Sequence, residues 1–291
     1  MKKYLRLLLL KILYSKITYF LPDQVYLRIL YQVENGRKLN LKRPKLFTEK
    51  IQWLKLYDRN PIYTQMADKI VAKDYVKRKI GEQYIIPTLK VWNTPKDIDI
   101  NILPNKFVMK CNHNSGGIII CEDKNKLDEK YIKKSMERAF KQKYYIRGRE
   151  WAYKYITPHI LVEKFMEDEE IKGLNDYKFY CFNGTPKFCQ VIADRYQNET
   201  IDFYDMNWSK MEFTGLSCHN RSKKTHQKPE AFEEMKKISK KLAEGTKFVR
   251  VDLYFINKKV YFGEMTFYPS SGFGFFDPKK WDRKLGDMLR I

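Results

Sequence analysis

The sequence predicts an α+β protein whose sheets are mostly antiparallel. Residues 106–123, 176–195 and 247–269 each contain two runs of β-branched and aromatic residues joined by a short polar turn, the pattern of a β-hairpin. Segments with helical periodicity separate these hairpins, an arrangement typical of α+β folds. The 291 residues are 43% hydrophobic and 15% aromatic, so the chain can bury a substantial core divided into two or three subdomains.

The first 60 residues predict a basic helical extension, with 14 Lys and Arg against 4 Asp and Glu. Residues 4–31 carry Leu, Ile, Tyr and Phe at helical spacings around Pro22-Asp23 and therefore predict two short helices. Basic residues interrupt the apolar run, so we expect no membrane-spanning helix. Two interpretations stay open: a helical hairpin packed on the rest of the protein, and an amphipathic segment lying in a membrane interface.

Two further helices are predicted after this extension. Residues 47–61 are amphipathic, with Thr48 as the N-cap and Pro61 as the stop. Residues 62–80 continue the helical periodicity, and Gly81 follows as a suitable C-cap.

The rest of the chain alternates between helix and strand. Residues 127–157 predict helix, and residues 160–166 (ILVEKFM) predict a short buried strand. Asn183-Gly184 and Asn257-Lys258 supply the turns of the second and third hairpins.

Charge and cysteine content narrow the class of protein. The 57 Lys and Arg exceed the 35 Asp and Glu, and the net charge of +22 indicates an anionic partner such as nucleotide phosphates, acidic polysaccharide or anionic lipid. The five cysteines are odd in number and irregularly spaced, which favours reduced thiols. No small-residue cleavage site follows the leucine run at residues 7–10. We expect a cytoplasmic protein, peripheral at the inner face of the membrane if the N-terminal helices are interfacial.

A first candidate site lies in the first hairpin. Lys110 ends a strand and is followed by a small polar turn with Ser115, Gly116 and Gly117. Such a turn can present several backbone N–H groups to phosphate oxygens while the lysine supplies a point charge. Glycine-rich hairpin turns are common, however, so a purely structural turn is the alternative.

The third hairpin carries a second candidate site. Arg250 and Asp252 alternate on one strand, and Glu264 and Thr266 alternate on its partner, so each pair shares a face. Two carboxylates converging from adjacent strands provide oxygen ligands suited to Mg²⁺. The alternative is a solvated sheet face with ordinary ion pairs.

These motifs, in this order, carry a resemblance. The motifs that carry the resemblance are, in order, DK…K, a strand lysine with a glycine loop, LVEKFM, RVD and GEMTFYPSSG. Through these motifs the chain resembles the ATP-grasp superfamily and, more narrowly, the TupA-like ATP-grasp family of capsule and teichuronopeptide gene clusters. The resemblance implies an ATP-grasp fold in which two α+β subdomains hold ATP between antiparallel sheets. The implied division is a basic extension at 1–60, a preceding segment at 61–105, and ATP-grasp subdomains at 106–166 and 167–291.

The resemblance also implies an ATP site. Lys110 is then the strand lysine that contacts the phosphates, and Lys73 is an earlier basic partner. The other implied ATP contacts lie in the glycine loop, the adenine hinge and the second hairpin: Ser115, Gly116, Gly117, Glu163, Lys164, Phe165, Met166, Asp176 and Lys178. The acidic residue that binds the ribose stays open among Asp168, Glu169, Glu170 and Asp176.

The same resemblance makes Asp252 and Glu264 the metal ligands. Arg250 occupies the place where related ligases stabilise the developing anionic intermediate, which makes Arg250 and Lys110 the catalytic candidates. Thr266 departs from the family pattern, because many ATP-grasp ligases have Asn two residues beyond the metal-binding Glu. Near Arg250, Arg195 and the turn Ser270-Ser271-Gly272 indicate an acceptor that carries negative charge.

The resulting hypothesis is an ATP-grasp enzyme of capsule-type polysaccharide biosynthesis that uses ATP and Mg²⁺ as a carboxylate–amine ligase. The acceptor is expected to be an anionic saccharide or an amino acid, and residues 1–31 are a candidate contact with anionic membrane. A sugar or polysaccharide kinase on the same fold and a glycosyltransferase are the alternatives. A non-enzymatic membrane- or nucleic-acid-binding module is not supported by the hairpin carboxylates, and we expect no nucleic acid partner.

Overall fold

The computed structural model describes residues 3–169, 174–193, 199–216 and 220–291. The helices of this part of the chain are α1 Lys3–Leu13, α2 Asp23–Asn35, α3 Phe47–Tyr57, α4 Ile62–Ala67, α5 Val71–Ile80, α6 Glu129–Phe140, α7 Tyr144–Gly148, α8 Phe232–Ala243 and α9 Lys280–Met288. The strands are β1 Thr88–Trp92, β2 Phe107–Cys111, β3 Ile118–Cys121, β4 Ile160–Lys164, β5 Asp176–Phe182, β6 Thr185–Ala193, β7 Thr200–Asp205, β8 Thr214–Gly215, β9 Phe248–Ile256, β10 Lys259–Thr266 and β11 Phe276–Asp277.

Two antiparallel sheets organise the molecule. The smaller has the strand order β1-β4-β2-β3, and the larger has the order β10-β9-β5-β6-β7. Strands β8 and β11 form a separate two-stranded pair. The α+β class and the three predicted hairpins, β2–β3, β5–β6 and β9–β10, are therefore present.

The turns of the second and third hairpins have the expected conformation. Asn183 and Gly184 have φ values of 50° and 75°, and Asn257 and Lys258 have φ values of 48° and 62°. Two successive residues with positive φ are the mark of the tight hairpin turn that Asn favours. Strands β1, β7, β8 and β11 were not predicted, because they are short or lack a partner run next to them in the sequence.

Each sheet has its own hydrophobic core. The larger sheet packs against α3, α4, α5, α8 and α9 around a cluster rich in phenylalanine and tyrosine. The smaller sheet packs against α6 through Ile132, Met136 and Ala139.

The predicted cap of α3 is wrong. Helix α3 begins at Phe47, so Thr48 lies in its first turn rather than at the N-cap. The backbone N–H and the hydroxyl of Thr48 both donate to the Asp282 carboxylate, each at 2.9 Å. A distant acidic residue of α9 therefore satisfies an N-terminal donor of α3. The helix ends at Tyr57, and Pro61 immediately precedes α4.

The predicted single helix over residues 62–80 is also wrong, because the chain breaks between α4 and α5. At the break, Asp68 Oδ1 accepts a hydrogen bond from the Ile70 N–H at 2.9 Å. The Asn112 amide donates to both oxygens of Asp68 at 3.0 Å. This tertiary contact holds Asp68 outside the helix. The predicted C-cap, Gly81, does end α5.

Residues 127–157 are likewise interrupted, forming α6, α7 and a short 3₁₀ turn at Trp151–Tyr153. Within the described residues, no helix is long and apolar enough to cross a membrane.

The N-terminal helices form a small core of their own, which we call the N-terminal module (α1, α2 and the turn between them). Tyr26, Leu27, Leu30 and Tyr31 of α2 are almost fully buried in it. The module packs on the body through residues such as Phe273, whose ring centroid lies 6.4 Å from that of Tyr31. The hairpin interpretation is therefore correct for this buried side of the module.

Candidate active site

The β9–β10 hairpin brings the predicted acidic residues together. In its register Asp252 faces Glu264 and Arg250 faces Thr266. The register shifts between Phe262 and Glu264, and Gly263 lies in this bulge. A Cβ at Gly263 would approach the Asp252 carbonyl oxygen to 3.1 Å, so glycine allows the close approach of the two strands.

Arg250 connects the other three predicted site residues of this hairpin. Its Nε and Nη2 donate to the two oxygens of Asp252, both at 2.6 Å. Nη2 also donates to Thr266 Oγ1 at 3.0 Å and to Glu264 Oε1 at 3.3 Å. We call Arg250, Asp252, Glu264 and Thr266, with Lys178, the hairpin cluster.

Lys178 joins the cluster from the neighbouring strand β5, where it lies opposite Asp252. It forms an ion pair with Asp252 and lies 3.9 Å from Asp176. Asp252, with a side chain only 2% exposed, is thus neutralised by two cations. The side chain of Glu264 is 38% exposed and remains accessible from the cleft described below.

The surroundings of Glu264 keep it ionised. Burial alone would raise its pKa, but the positive charges of Lys69, Arg250, Lys178 and Lys110 lower it to about 2. A carboxylate that stays charged over the physiological range is suited to bind a cation or a cationic group.

The second cluster, which we call the lysine–glutamate cluster, consists of Lys73, Lys110 and Glu163. Lys73 Nζ lies 2.6 Å from one oxygen of Glu163, and Lys110 Nζ lies 2.5 Å from the other. Burial would raise the pKa of Glu163, but the two ammonium groups hold it below its ordinary value. The resemblance assigned the two lysines to ATP and Glu163 to the adenine hinge, and no sequence pattern paired them.

The backbone after Glu163 continues along the proposed hinge. The Lys164 N–H donates to the Pro87 carbonyl oxygen at 3.0 Å, and Phe165 and Met166 are half-buried. Lys106 Nζ lies 5.6 Å from the Phe165 ring centroid.

Of the four candidates for the ribose, Asp168 accepts a hydrogen bond from the Asn257 N–H at 2.8 Å. The Glu169 N–H donates to the Asn257 side chain at 3.0 Å. Asp176 is buried at the start of β5, and Glu170 lies outside the described residues.

The glycine loop between β2 and β3 is packed against the end of α6. Asn114 donates to the Ala139 carbonyl oxygen at 2.8 Å, and a Cβ at Gly117 would lie 2.5 Å from that of Ala139. Nothing lies within 4 Å of the Cβ position of Gly116, and Ser115 lines the cleft. One side of the loop thus packs against α6, and the side that carries Ser115 faces the cleft.

Lys69 is a site residue that sequence reasoning missed. Its Nζ donates to the Asn114 carbonyl oxygen at 2.6 Å and lies 3.8 Å from Glu264. Lys69 precedes Lys73 by four residues, so a continuous helix would have placed both on one face. The break at Asp68 instead directs Lys69 to the hairpin cluster and Lys73 to Glu163. The only signal in the sequence is the pair of lysines itself.

The predicted acceptor turn at residues 270–272 has a left-handed backbone, with φ values of 49°, 51° and 67°. Lys55 and Gln52 of α3 hold it through the Ser271 carbonyl oxygen, which accepts from Lys55 Nζ at 2.7 Å and Gln52 Nε2 at 3.2 Å. Left-handed non-glycine residues cost about 1–3 kcal/mol each and cluster at functional sites. Arg195, the other predicted acceptor residue, lies outside the described residues.

A cleft of about 870 Å³ is lined by some of these parts, whereas the lysine–glutamate cluster and the proposed hinge do not line it. Its walls come from the hairpin cluster, the loop at Ser115, the 270–272 turn, the α7 region and the N-terminal module. The lining side chains with formal charge are Arg6, Glu34, Arg37, Lys69, Arg147, Glu150, Arg250, Glu264, Lys279 and Asp282.

The donor set fits Mg²⁺ bound together with a nucleotide. Across the described residues, no group of three or more His, Cys, Asp or Glu side chains is placed to hold a metal ion. Mg²⁺ is commonly held by one or two carboxylates with phosphate oxygens and water completing its shell. Asp252 and Glu264 provide two neighbouring carboxylates of this kind, with both Asp252 oxygens bound to Arg250 and with Lys178 and Lys69 beside the pair.

Comparison with known proteins identifies the family. No curated protein matches the chain. Similar solved structures include the D-alanine–D-alanine ligase of Helicobacter pylori (TM-score 0.45, 17% identity, 84% of this chain and 69% of that chain covered). They also include the D-alanine–D-alanine ligase of Bacillus anthracis with ATP (TM-score 0.40, 14% identity, 69% of this chain and 53% of that chain covered). A third is the ATP-grasp ligase PsnB with a phosphomimetic variant of its minimal precursor, Mg and ADP (TM-score 0.42, 10% identity, 82% of this chain and 63% of that chain covered).

The chain thus spans 53% to 69% of the length of these structures. A family model described as TupA-like ATPgrasp matches residues 49–290, which is most of the chain. This match confirms the predicted family, the α+β ATP-grasp fold and the assignment to the ATP-grasp enzymes. The chain belongs to the TupA-like ATP-grasp family.

Proposed function

We propose that the protein is a Mg²⁺-ATP-dependent carboxylate–amine ligase that forms an acyl phosphate, and that it serves the biosynthesis of a capsule-type cell-surface polysaccharide. The observation that carries the proposal is the hairpin cluster, where Arg250 is shared by Asp252, Glu264 and Thr266 at the wall of the cleft. The polysaccharide context follows from the family resemblance.

In this proposal the lysines bind the phosphates of ATP. Lys73 and Lys110 share the single negative charge of the buried Glu163 carboxylate. A polyphosphate carries several negative charges and can therefore bind both lysines more strongly than Glu163 does. Asp252 and Glu264 would hold Mg²⁺, which would neutralise charge on the phosphate oxygens. Lys69, at 3.8 Å from Glu264, supplies a further positive charge on the cleft side.

The reaction has two steps. First, an oxygen of the acceptor carboxylate bonds to the γ-phosphorus, and the bond from that phosphorus to the bridging oxygen of ADP breaks. Next, the amine nitrogen bonds to the acyl carbon, inorganic phosphate leaves with one former carboxylate oxygen, and the amine loses a proton to solvent.

Arg250 stabilises the negative charge that develops on the acyl oxygen. A guanidinium keeps its proton in proteins, so Arg250 acts through charge and hydrogen bonds rather than as an acid or base. None of the described residues that line the cleft is a cysteine or histidine. In this mechanism alignment and charge neutralisation account for the chemistry, and no covalent protein intermediate is required.

The charges of the cleft favour an anionic acceptor. Six basic and four acidic side chains line it, and Glu264 is assigned to the metal. Arg147 is one basic residue available to the acceptor, because its guanidinium forms no ion pair within the described part of the chain and lies 4.8 Å from the Tyr14 ring centroid. A uronic acid or an amino-acid carboxylate has the required charge.

The test measures hydroxamate formation with ATP, hydroxylamine and candidate uronates, because hydroxylamine captures an acyl phosphate and does not react with a phosphorylated hydroxyl. We expect hydroxamate with the wild type and its loss, with most ATP turnover, in Asp252→Asn and Glu264→Gln. Glu129→Gln, which removes an exposed carboxylate from α6, is the matched control. Near-normal turnover in both site variants would reject the metal assignment. A stable phosphorylated sugar without hydroxamate would establish a kinase instead.

A further inference from the structure

The two sides of α1 differ sharply. Leu9, Leu10 and Leu13 face the core of the N-terminal module, and Arg6 on the same side donates to the Val33 carbonyl oxygen at 3.0 Å. Spacings of three and four residues place these side chains on one face of the helix. The opposite side of α1 has no packing partner in the described structure.

This opposite side is apolar, and further exposed apolar residues follow in the turn after α1 and in α2. We call it the outer face, and its exposed large apolar residues are Tyr4, Leu5, Leu7, Leu8, Ile12, Ile17, Tyr19, Phe20, Val25 and Ile29. Tyr4, Ile17 and Phe20 are 86%, 71% and 79% exposed. These ten residues are half of the 20 exposed large hydrophobics of the described chain, although they lie within residues 4–29. Scattered apolar residues are normal on a surface, but a concentration of this kind marks an interaction site.

The module is fixed firmly enough for its outer face to stay exposed. Arg149, with a side chain only 3% exposed, donates to the Thr18 carbonyl oxygen at 2.9 Å, and its guanidinium lies 4.4 Å from the Tyr26 ring centroid. Tyr145 donates to Asp23 at 2.7 Å. These contacts fix the turn and α2 to the α7 region. The outer face is therefore held on the surface of the protein.

The charges around the outer face are positive. Lys11, Lys16 and Arg28 are exposed beside its apolar residues. The first 22 residues of the sequence contain five basic residues and no acidic one. Apolar residues framed by lysine and arginine are the composition of helices that lie in the interface of an anionic membrane. A symmetric dimer through this face would instead bring the same positive charges of two copies together.

We propose that the outer face of the N-terminal module is a docking surface for an anionic lipid bilayer. The helices lie along the bilayer surface, with the apolar side chains among the headgroups and upper acyl chains and the basic side chains at the phosphates. The interfacial and the packed-hairpin interpretations of the sequence are then both correct, each for one side of the same module.

Docking in this way brings the cleft to the membrane. Arg6, Tyr14, Glu34, Asn35 and Arg37 of the N-terminal segment also line the cleft. A helix with its side chains is about 10–12 Å across, so the cleft lies roughly one helix thickness from the lipid. If the proposed function holds, its anionic acceptor is within reach when it is carried on a membrane lipid.

The test is co-sedimentation of the full-length protein with vesicles of phosphatidylcholine alone and of phosphatidylcholine mixed with phosphatidylglycerol. We expect binding to the mixed vesicles that weakens with salt. The variant Leu8→Ser/Ile12→Ser/Phe20→Ser should bind them more than about tenfold less tightly, since withdrawing even one such side chain from an apolar environment costs about tenfold or more. Ile102→Ser/Tyr131→Ser/Tyr155→Ser, which changes exposed apolar residues elsewhere, is the matched control and should bind like the wild type.

A second variant, Lys11→Gln/Lys16→Gln/Arg28→Gln, separates charge from apolar contact and should show a weaker salt dependence than the wild type. Equal binding by the wild type and the outer-face variant would overturn the proposal, as would equal wild-type binding to both kinds of vesicle. Sedimentation of the wild type as a dimer that the outer-face variant dissociates would assign the face to a second copy. None of these measurements uses ATP turnover, so their failure leaves the proposed function standing.

Discussion

Replacing Glu163 with glutamine should destabilise the protein and strengthen nucleotide binding at the same time. Glu163→Gln keeps the shape of the side chain and removes the single negative charge between Lys73 and Lys110, whose ammonium groups lie 2.6 and 2.5 Å from it. Removing one partner of a buried ion pair costs about 3–5 kcal/mol because the other charge stays buried and unpaired.

The structure favours the lower end of that range. The Lys73 and Lys110 side chains are 14% and 16% exposed, and Lys73 also donates to the Ile86 carbonyl oxygen and the Thr88 hydroxyl at 2.8 and 2.7 Å. We therefore expect a loss of about 3 kcal/mol at neutral pH, measured by urea unfolding. Glu167→Gln, which breaks the exposed pair with Lys106 (2.8 Å; side chains 61% and 45% exposed), should cost less than about 1 kcal/mol.

The difference in unfolding free energy between the wild type and Glu163→Gln should depend on pH, and its direction follows from the pKa of Glu163. The folded-state pKa of Glu163 is below its ordinary value of 4.5, so the unfolded chain binds a proton there at higher pH than the folded protein does. The stability that Glu163 contributes is complete above its unfolded pKa and is lost as the pH falls through the folded pKa. The gap between the wild type and Glu163→Gln should therefore narrow below about pH 4.5.

Nucleotide should rescue the variant. If Lys73 and Lys110 bind the phosphates as proposed, a phosphate competes with Glu163 for the two lysines in the wild type, whereas in Glu163→Gln this competition is absent. We expect a lower dissociation constant for Mg²⁺-ADP by isothermal titration, and therefore a larger stabilisation at equal ligand concentration. A stability loss no larger than that of Glu167→Gln would refute the ion-pair reasoning. Unchanged ADP affinity would refute the assignment of these lysines to the phosphates.

Two further predictions concern stability. Lys55→Met should lower the free energy of unfolding by about 3 kcal/mol, because it leaves the Gly148 and Ser271 carbonyl oxygens without their ammonium donor and removes a positive charge that acts on Glu150. In a urea double-mutant cycle, adding Glu150→Gln should cost less than its effect alone, and strict additivity would contradict this electrostatic coupling. Gly286→Ala should lower the free energy of unfolding by about 3 kcal/mol, because its Cβ would lie 2.1 Å from the Lys45 carbonyl oxygen where α9 meets the start of α3. An unchanged melting temperature would show that the two helices separate easily.

Local patterns predicted much of the active-site architecture. The alternation of Arg250 with Asp252 and of Glu264 with Thr266 placed these side chains on one sheet face, because strand periodicity is a local property. The turn at Asn257-Lys258 fixed which strand paired with which. The bulge at Gly263 was not predicted, although an isolated glycine in a strand is a common sign of one, and it brings Glu264 opposite Asp252.

The sequence by itself determined the fold class, the three hairpins, the family and the two carboxylates of the proposed metal site. The hairpins and the two carboxylates follow from the order of residues within single segments, and the fold class and family follow from the order of those segments along the chain. Tertiary structure alone decided that Glu163 neutralises Lys73 and Lys110, that Lys178 neutralises Asp252, and that Asn112 breaks the helix at Asp68 and separates Lys69 from Lys73. The physical reason is that these charges and donors lie far apart in the chain, and only the packing of separate strands and helices determines which of them become buried against each other.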